Sequence, residues 1–166
     1  MDDLKAYKRI LIVGCPGSGK STLSRKINRA LNYPLYSMDD LYWKENWQRT
    51  PDPEFIKILS SIVARENWII EGNYSRFFDI RLQRADMVLF IESSTIVCLF
   101  RVIKRALLRK FVDPSSLPIN VRKGKKAARF RFDPKFYRLI LNFNKKTKQL
   151  MLDSISKSDC QCIKIR

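Results

Sequence analysis

A lysine and a serine set directly behind a glycine-rich turn are the residue types that hold phosphate. Gly14-Cys15-Pro16-Gly17-Ser18-Gly19-Lys20-Ser21 presents them at the spacing G-x-x-x-x-G-K-[ST]. The run follows the apolar stretch Ile10-Leu11-Ile12-Val13 and precedes apolar residues at helical spacing, which is the strand–turn–helix context that this pattern requires. Glycines let backbone N–H groups turn inward around phosphate oxygens, and the start of the following helix adds partial positive charge. Gly14, Cys15, Pro16, Gly17, Ser18, Gly19, Lys20, Ser21 and Thr22 are therefore the expected cradle for the phosphates of ATP or GTP. In it Lys20 reaches the β- and γ-phosphates and the Ser21 hydroxyl helps to hold Mg²⁺.

Magnesium takes oxygen ligands and needs carboxylate support beyond one hydroxyl. Asp39, Asp40 and Glu71 each follow the end of an apolar run, where side chains face the ligand crevice of an open α/β sheet. The competing reading of each is a helix cap or a solvated surface acid. Asp86 opens an apolar run, at the opposite end of the sheet, and reads as structural. Tyr42, Trp43 and Trp47 lie close behind Asp39; they either stack on an acceptor or pack into the core. Arg76, shortly after Glu71, completes the set of candidate acceptor contacts.

The elements that must position these groups alternate along the chain. Short buried-type strands are expected over 8–13, 34–38, 68–70, 86–91 and 160–165, the first of them central. Helices are expected over 20–31, 53–65, 75–84, 95–110 and 133–157, with Phe136, Leu139, Ile140, Phe143, Leu150 and Met151 on one face of the last. An irregular basic segment over 112–132 contains Pro114, Pro118 and Gly124 and reads as a mobile lid of about 111–132. Alternating strands and helices imply a three-layer α/β/α arrangement around a five-stranded parallel sheet, in one domain over 1–166.

With 166 residues, of which 45% are hydrophobic, the chain has enough material for its own core. The charge is uneven: residues 1–98 carry 14 Lys/Arg against 12 Asp/Glu, and residues 99–166 carry 19 against 4. That surface attracts polyanions such as nucleotide phosphates, nucleic acid or an acidic membrane face. Cys15, Cys98, Cys160 and Cys162 read as reduced thiols of a cytoplasmic protein, and with no histidine Cys160 and Cys162 do not make a zinc-site pattern. The apolar runs fall far short of the ~20 residues needed to span a bilayer, and no targeting segment precedes them.

The residues 9–21, Met38-Asp39-Asp40-Leu41-Tyr42-Trp43, Trp68-Ile69-Ile70-Glu71-Gly72-Asn73-Tyr74-Ser75, the Arg81/Asp86 region and Arg101 to Arg105 resemble the small P-loop kinases known as DNA topology modulation proteins, relatives of adenylate kinase. The resemblance covers most of the chain and is weak over 112–132. It implies that Asp39 binds the acceptor or assists its deprotonation, that Glu71-Gly72 closes the third strand, and that Arg101 and Arg105 precede the lid. The chain departs from the nucleoside-monophosphate kinase pattern in having Glu at 71 and no Asp-Gly-Phe-Pro-Arg run, which leaves the acceptor open. Two functions follow as expectations. One is an ATP- and Mg²⁺-dependent kinase for a nucleotide- or nucleoside-type small molecule, with Lys20, Asp39, Arg101 and Arg105 catalytic. In it Asp39, Tyr42, Trp43, Glu71 and Arg76 bind the acceptor, Ser21, Asp39 and Glu71 hold the metal, and Arg109, Arg122 or Arg129 make closed-lid contacts. The other is a nucleic-acid-binding ATPase or nucleotide-responsive regulator of DNA topology, resting on the basic C-terminal part and on Arg129-Phe130-Arg131-Phe132.

Overall fold

The structure is a computed structural model, and it describes residues 2–108, 117–123 and 134–166. Five parallel strands form one sheet in the order β2-β3-β1-β4-β5. They are β1 (Arg9–Gly14), β2 (Leu35–Ser37), β3 (Trp68–Glu71), β4 (Met87–Ile91) and β5 (Gln161–Ile165). β1 is central because Ile10 to Val13 have no polar side chain to present to solvent, and all four are fully buried. Alternation along β1 sends Leu11 and Val13 to one side of the sheet and Ile10 and Ile12 to the other. The first side is covered by α3 (Asp52–Val63), α5 (Thr95–Leu108), α7 (Pro134–Asn142) and α8 (Lys148–Ser156), through Phe55, Leu59, Cys98, Ile140 and Met151. The second is covered by α1 (Lys20–Leu31), through Ile27 with Leu23 and Leu31 against it.

Three expectations change on the structure. Met38 does not end β2 but opens α2 (Met38–Tyr42), because β3 runs into Gly72, which has no side chain to hold Met38 away. A Cβ on Gly72 would stand 2.8 Å from that of Met38. The helix expected over 133–157 is broken by a π-helical turn, Phe143–Thr147. The wider turn re-phases the stripe: Ile140, Phe143, Met151 and Ile155 are buried, whereas Leu139 and Leu150 remain exposed. Within the segment read as irregular, Ile119–Lys123 forms α6. Its first N–H donates to Asp40 Oδ1 at 2.7 Å, and Asn120 Nδ2 donates to the carbonyls of Asp40 and Trp43 at 3.1 and 3.3 Å. Residues 111–116 and 124–132 lie outside the described residues. No helix among the described residues is long and apolar enough to cross a membrane.

Candidate functional site

β1 ends at Gly14 and α1 begins at Lys20, so the intervening turn sits at the C-terminal edge of the sheet. Register brings Ile12 level with Glu71 and Ser37 level with Glu71, which puts the ends of β2 and β3 beside the turn. The turn is built on Gly14, Gly17 and Gly19, all at positive φ. Gly17 has φ 87° and a Cβ there would meet the carbonyl oxygen of Cys98 at 2.6 Å. Gly19, the N-cap of α1 at φ 103°, has nothing within 4 Å of where a Cβ would stand. The backbone is thus packed tightly on its inner side and open at the helix start, where an anion would meet free N–H groups. Ser18 Oγ, buried in the turn, has no hydrogen-bond partner among the described residues.

Lys20 folds its ammonium back beneath the turn, where Nζ donates to the carbonyls of Gly14 (2.8 Å) and Cys15 (3.0 Å). Burial lowers its pKa from the ordinary lysine value, opposed by the charges of Glu71 and Asp39. Glu71, 8% exposed, accepts from the Ser21 hydroxyl at 2.9 Å. Burial raises its carboxyl above the usual range, with Lys20 pulling the other way. Cys15 lies against Cys98 of α5, and burial pushes its thiol up to about 12, leaving it an inert packing group.

Asn73, Tyr74 and Arg81, which enter the sequence reading only within the family resemblance and without a role, join this turn to its surroundings. Asn73 Oδ1 accepts from the Gly14 N–H at 3.1 Å, and Tyr74 OH donates to Asp39 Oδ1 at 2.6 Å. Tyr74 holds a left-handed backbone, φ 37°, uncommon for so large a side chain. Burial, and then the Asp39 charge, keeps its phenol protonated. Arg81, at the end of α4 (Phe78–Leu82), is fully buried and grips the same loop. It donates to the carbonyls of Gly72 (2.7 Å), Asn73, Tyr74 (3.2 Å) and Phe77 (3.2 Å). Burial lowers its pKa, but a guanidinium with this many acceptors stays charged at neutral pH. In sequence Arg81 stands three and four residues after Phe78 and Phe77, on the side of the turn that carries their rings, and an arginine buried there must have acceptors.

Of the expected site residues, Lys20, Ser21, Asp39 and Glu71 are brought together at the strand ends. Asp40 is not; it is turned away to the start of α6. Asp86, at the opposite end of the sheet, pairs with Arg9 at 2.6 Å. Tyr42, Trp43 and Tyr74 line a cavity of ≈240 Å³ with Phe77, and Arg49 and Arg76 stand at its walls. Tyr42 also packs edge-on against Phe55, so the aromatics serve both packing and lining. Arg76 is ion-paired with Asp52. Arg101 reaches the turn, with Nη1 3.4 Å from the Gly17 carbonyl oxygen. Arg105 and Arg122 are exposed and have no such contact among the described residues. Arg109, and Arg129 with its neighbours Phe130 to Phe132, lie outside the described residues. Nowhere among the described residues do three or more His, Cys, Asp or Glu side chains group so as to hold a metal ion by themselves.

The sheet order, the helices on both of its faces and the glycine turn at the end of β1 define a three-layer α/β/α P-loop kinase fold. The shikimate kinase of Acinetobacter baumannii, solved with shikimate, superposes with a TM-score of 0.58 at 14% identity, over 99% of this chain and 86% of that one. The shikimate kinase of Bacteroides thetaiotaomicron superposes with a TM-score of 0.52 at 17% identity, over 95% and 86%. By sequence the chain is similar to the small P-loop kinases. It is 28% identical over 148 residues to adenylate kinase 2 of Synechocystis, covering 70% of this chain and 78% of that protein. It is 26% identical over 114 residues to the adenylate kinase of Borrelia turicatae, covering 54% of each. The chain spans about half the length of that relative and of an uncharacterised Bacillus subtilis protein, 54% and 48%. No protein-family model matches it.

Proposed function

We propose that this chain is a kinase that transfers the γ-phosphate of ATP to a small molecule. One observation carries the reading: a half-buried lysine on a glycine turn lies within electrostatic reach of two carboxylates, one of which is tied through Tyr74 to an aromatic cavity. The turn from Gly14 to Thr22 holds the phosphates of the nucleotide with backbone N–H groups, and Lys20 exchanges its carbonyl partners for phosphate oxygens.

The hydroxyl of Ser21 and the carboxylates of Glu71 and Asp39 are the hard oxygen donors that Mg²⁺ accepts, too few for a closed cage and enough for an ion that keeps waters and phosphate oxygens. When bound, Mg²⁺ supplies neutralisation of the charge that develops on the transferred group. Asp39 receives the acceptor's hydroxyl proton at the oxygen that Tyr74 leaves free, while the Tyr74 hydroxyl fixes the carboxylate's rotamer. Tyr42, Trp43 and Arg76 hold the acceptor, and Arg101 and Arg105 bring positive charge towards the turn. One domain over 1–166 with reduced thiols, working in the cytoplasm, fits this role.

The test is ADP release from ATP and Mg²⁺ across nucleoside monophosphates, nucleosides, hydroxylated metabolites and DNA, with Lys20→Ala as control. Stimulation by one small acceptor that disappears in Lys20→Ala is the expected result; release that Lys20→Ala leaves intact refutes the site. A second reading rests on the resemblance to DNA topology modulation proteins and on the 19 Lys/Arg against 4 Asp/Glu of residues 99–166. Stimulation by DNA alone, with salt-sensitive binding, would favour it.

A further inference from the structure

A row of large apolar side chains lies on the outside of α5. Ile96, Phe100, Ile103 and Leu107 recur at steps of four, three and four residues, which places them on one face of the helix. They are 79, 64, 40 and 62% exposed, while Cys98 and Val102 on the opposite face are buried in the core. At 1.5 Å per residue the row is about 16 Å long. Single exposed apolar residues are ordinary, but a row of them makes a continuous surface of the kind that contacts a partner.

The charges around the row have one sign. α5 carries Arg101, Lys104 and Arg105 and no acid, and Lys104, four residues from Phe100, stands beside the row. α7 packs next to α5 on the same side of the sheet, and Asn144 of the π-helical turn that follows it donates to Thr95 Oγ1 at 2.9 Å. Over 134–147 the chain adds Lys135, Arg138, Lys145 and Lys146, again without an acid. Leu139 and Leu141, both exposed, flank Arg138.

The chemistry of this face separates its conceivable occupants. A second copy docked face to face would set an acid-free surface against itself, in a chain of formal charge +17. A nucleic acid matches the cations, but its phosphates give aliphatic side chains no apolar partner, and only Phe100 in the row has a ring to stack on a base. An anionic bilayer matches both properties, with headgroup phosphates for the lysines and arginines and the acyl boundary for Ile, Leu and Phe. A helix of this kind lies in the plane of the interface, its apolar row inward and its lysine stems reaching back to the headgroups.

We infer that the outer face of α5, with the cations of α7 beside it, docks the protein on the surface of membranes that carry anionic lipid. The contact is peripheral, made by Ile96, Phe100, Ile103 and Leu107 at the acyl boundary, and it stands or falls without the kinase reading.

The experiment is co-sedimentation of the full chain with vesicles of phosphatidylcholine alone and of phosphatidylcholine mixed with phosphatidylglycerol, at physiological salt and without nucleotide. Saturable binding to the mixed vesicles only is expected, about tenfold or more weaker in the double variant Phe100→Ser/Leu107→Ser, with part of the loss in each single variant. Both residues are exposed, so the variants should keep the parent's melting temperature, and Ile56→Ser, at an exposed apolar position on α3, should bind as the parent does. Lys104→Glu with Arg138→Glu should weaken binding as well, and so should added salt. Equal binding to neutral vesicles, a double variant or a charge-reversed pair that binds like the parent, an equal loss in Ile56→Ser, or no binding to either vesicle overturns the inference. Two further results overturn it by giving the face another owner. A double variant that keeps the vesicles but loses a DNA duplex makes it a nucleic-acid surface, and a dimer that sediments without vesicles and is lost in the double variant makes it an interface between copies.

Discussion

Replacing Arg81 by methionine should cripple the phosphate site from beneath without touching any atom of it. Four carbonyls, those of Gly72, Asn73, Tyr74 and Phe77, accept from this one fully buried guanidinium. Each charge-assisted hydrogen bond contributes about 1.5–3 kcal/mol, but burying the guanidinium also carries a desolvation cost, so the sum overstates the loss. Breaking a buried charged site typically costs about 3–5 kcal/mol, a large part of the ~5–15 kcal/mol that holds a domain of this kind together. At about 2–4 °C per kcal/mol, the melting temperature should fall by about 10 °C. The functional loss should exceed what instability explains. Asn73 holds the Gly14 N–H and Tyr74 holds Asp39, so releasing the loop disorders the donor side and the acceptor side together. Measured well below the melting point, ADP release should drop about 10- to 100-fold in Arg81→Met, with a smaller loss in Arg81→Lys. Added guanidinium should recover part of the activity of Arg81→Ala, which a lost packing volume alone would not allow. A melting temperature within about 3 °C of the parent, with unchanged ADP release, would refute the reasoning.

The glycines of the turn give a sharper separation of folding from binding. Gly17→Ala should lower both, since its Cβ would press on the Cys98 carbonyl at 2.6 Å; Gly19→Ala, with open space around it, should cost only the ~1–2 kcal/mol of an unfavourable backbone and yet abolish ATP binding, read by thermal melts with and without nucleotide. Activity should follow a bell against pH with both limbs drawn inward. Glu71, raised by burial, protonates at a higher pH than an exposed glutamate, and Lys20, lowered by burial, loses its proton below the usual lysine range; Glu71→Gln should move the acid limb of the pH–rate profile to lower pH. Asp40→Ala should unfasten α6 at a cost of about 1 kcal/mol, visible as faster amide exchange over Ile119–Lys123. Asp86, whose pKa is held down by its bonds to Arg9 against the desolvation that would raise it, contributes stability above the ordinary aspartate range that is lost as pH falls through its folded pKa. Asp86→Asn should flatten that acid limb of the unfolding curve.

The phosphate turn was legible residue by residue because everything that defines it is local. Eight consecutive residues, a preceding apolar run and a following helical period specify a strand, a left-handed turn and a helix start, and none of these needs a distant partner. The parallel sheet followed from the alternation of elements, and Asp86 was read as structural from its position at the start of a strand. What the chain order could not convey is which side chains meet across it. Asp40 has the same local credentials as Asp39, and only the docking of α6, about eighty residues on, takes one and leaves the other to Tyr74. The π-helical turn at Phe143–Thr147 depends on what the last helices pack against, so a regular period could not foresee it. Arg81 shows the division most clearly. Its sequence neighbours Phe77 and Phe78 place it beside apolar rings, but its burial and the carbonyls that make it tolerable belong to a loop shaped by Gly72 and Tyr74, and a hydrogen-bond partner is a fact of three dimensions.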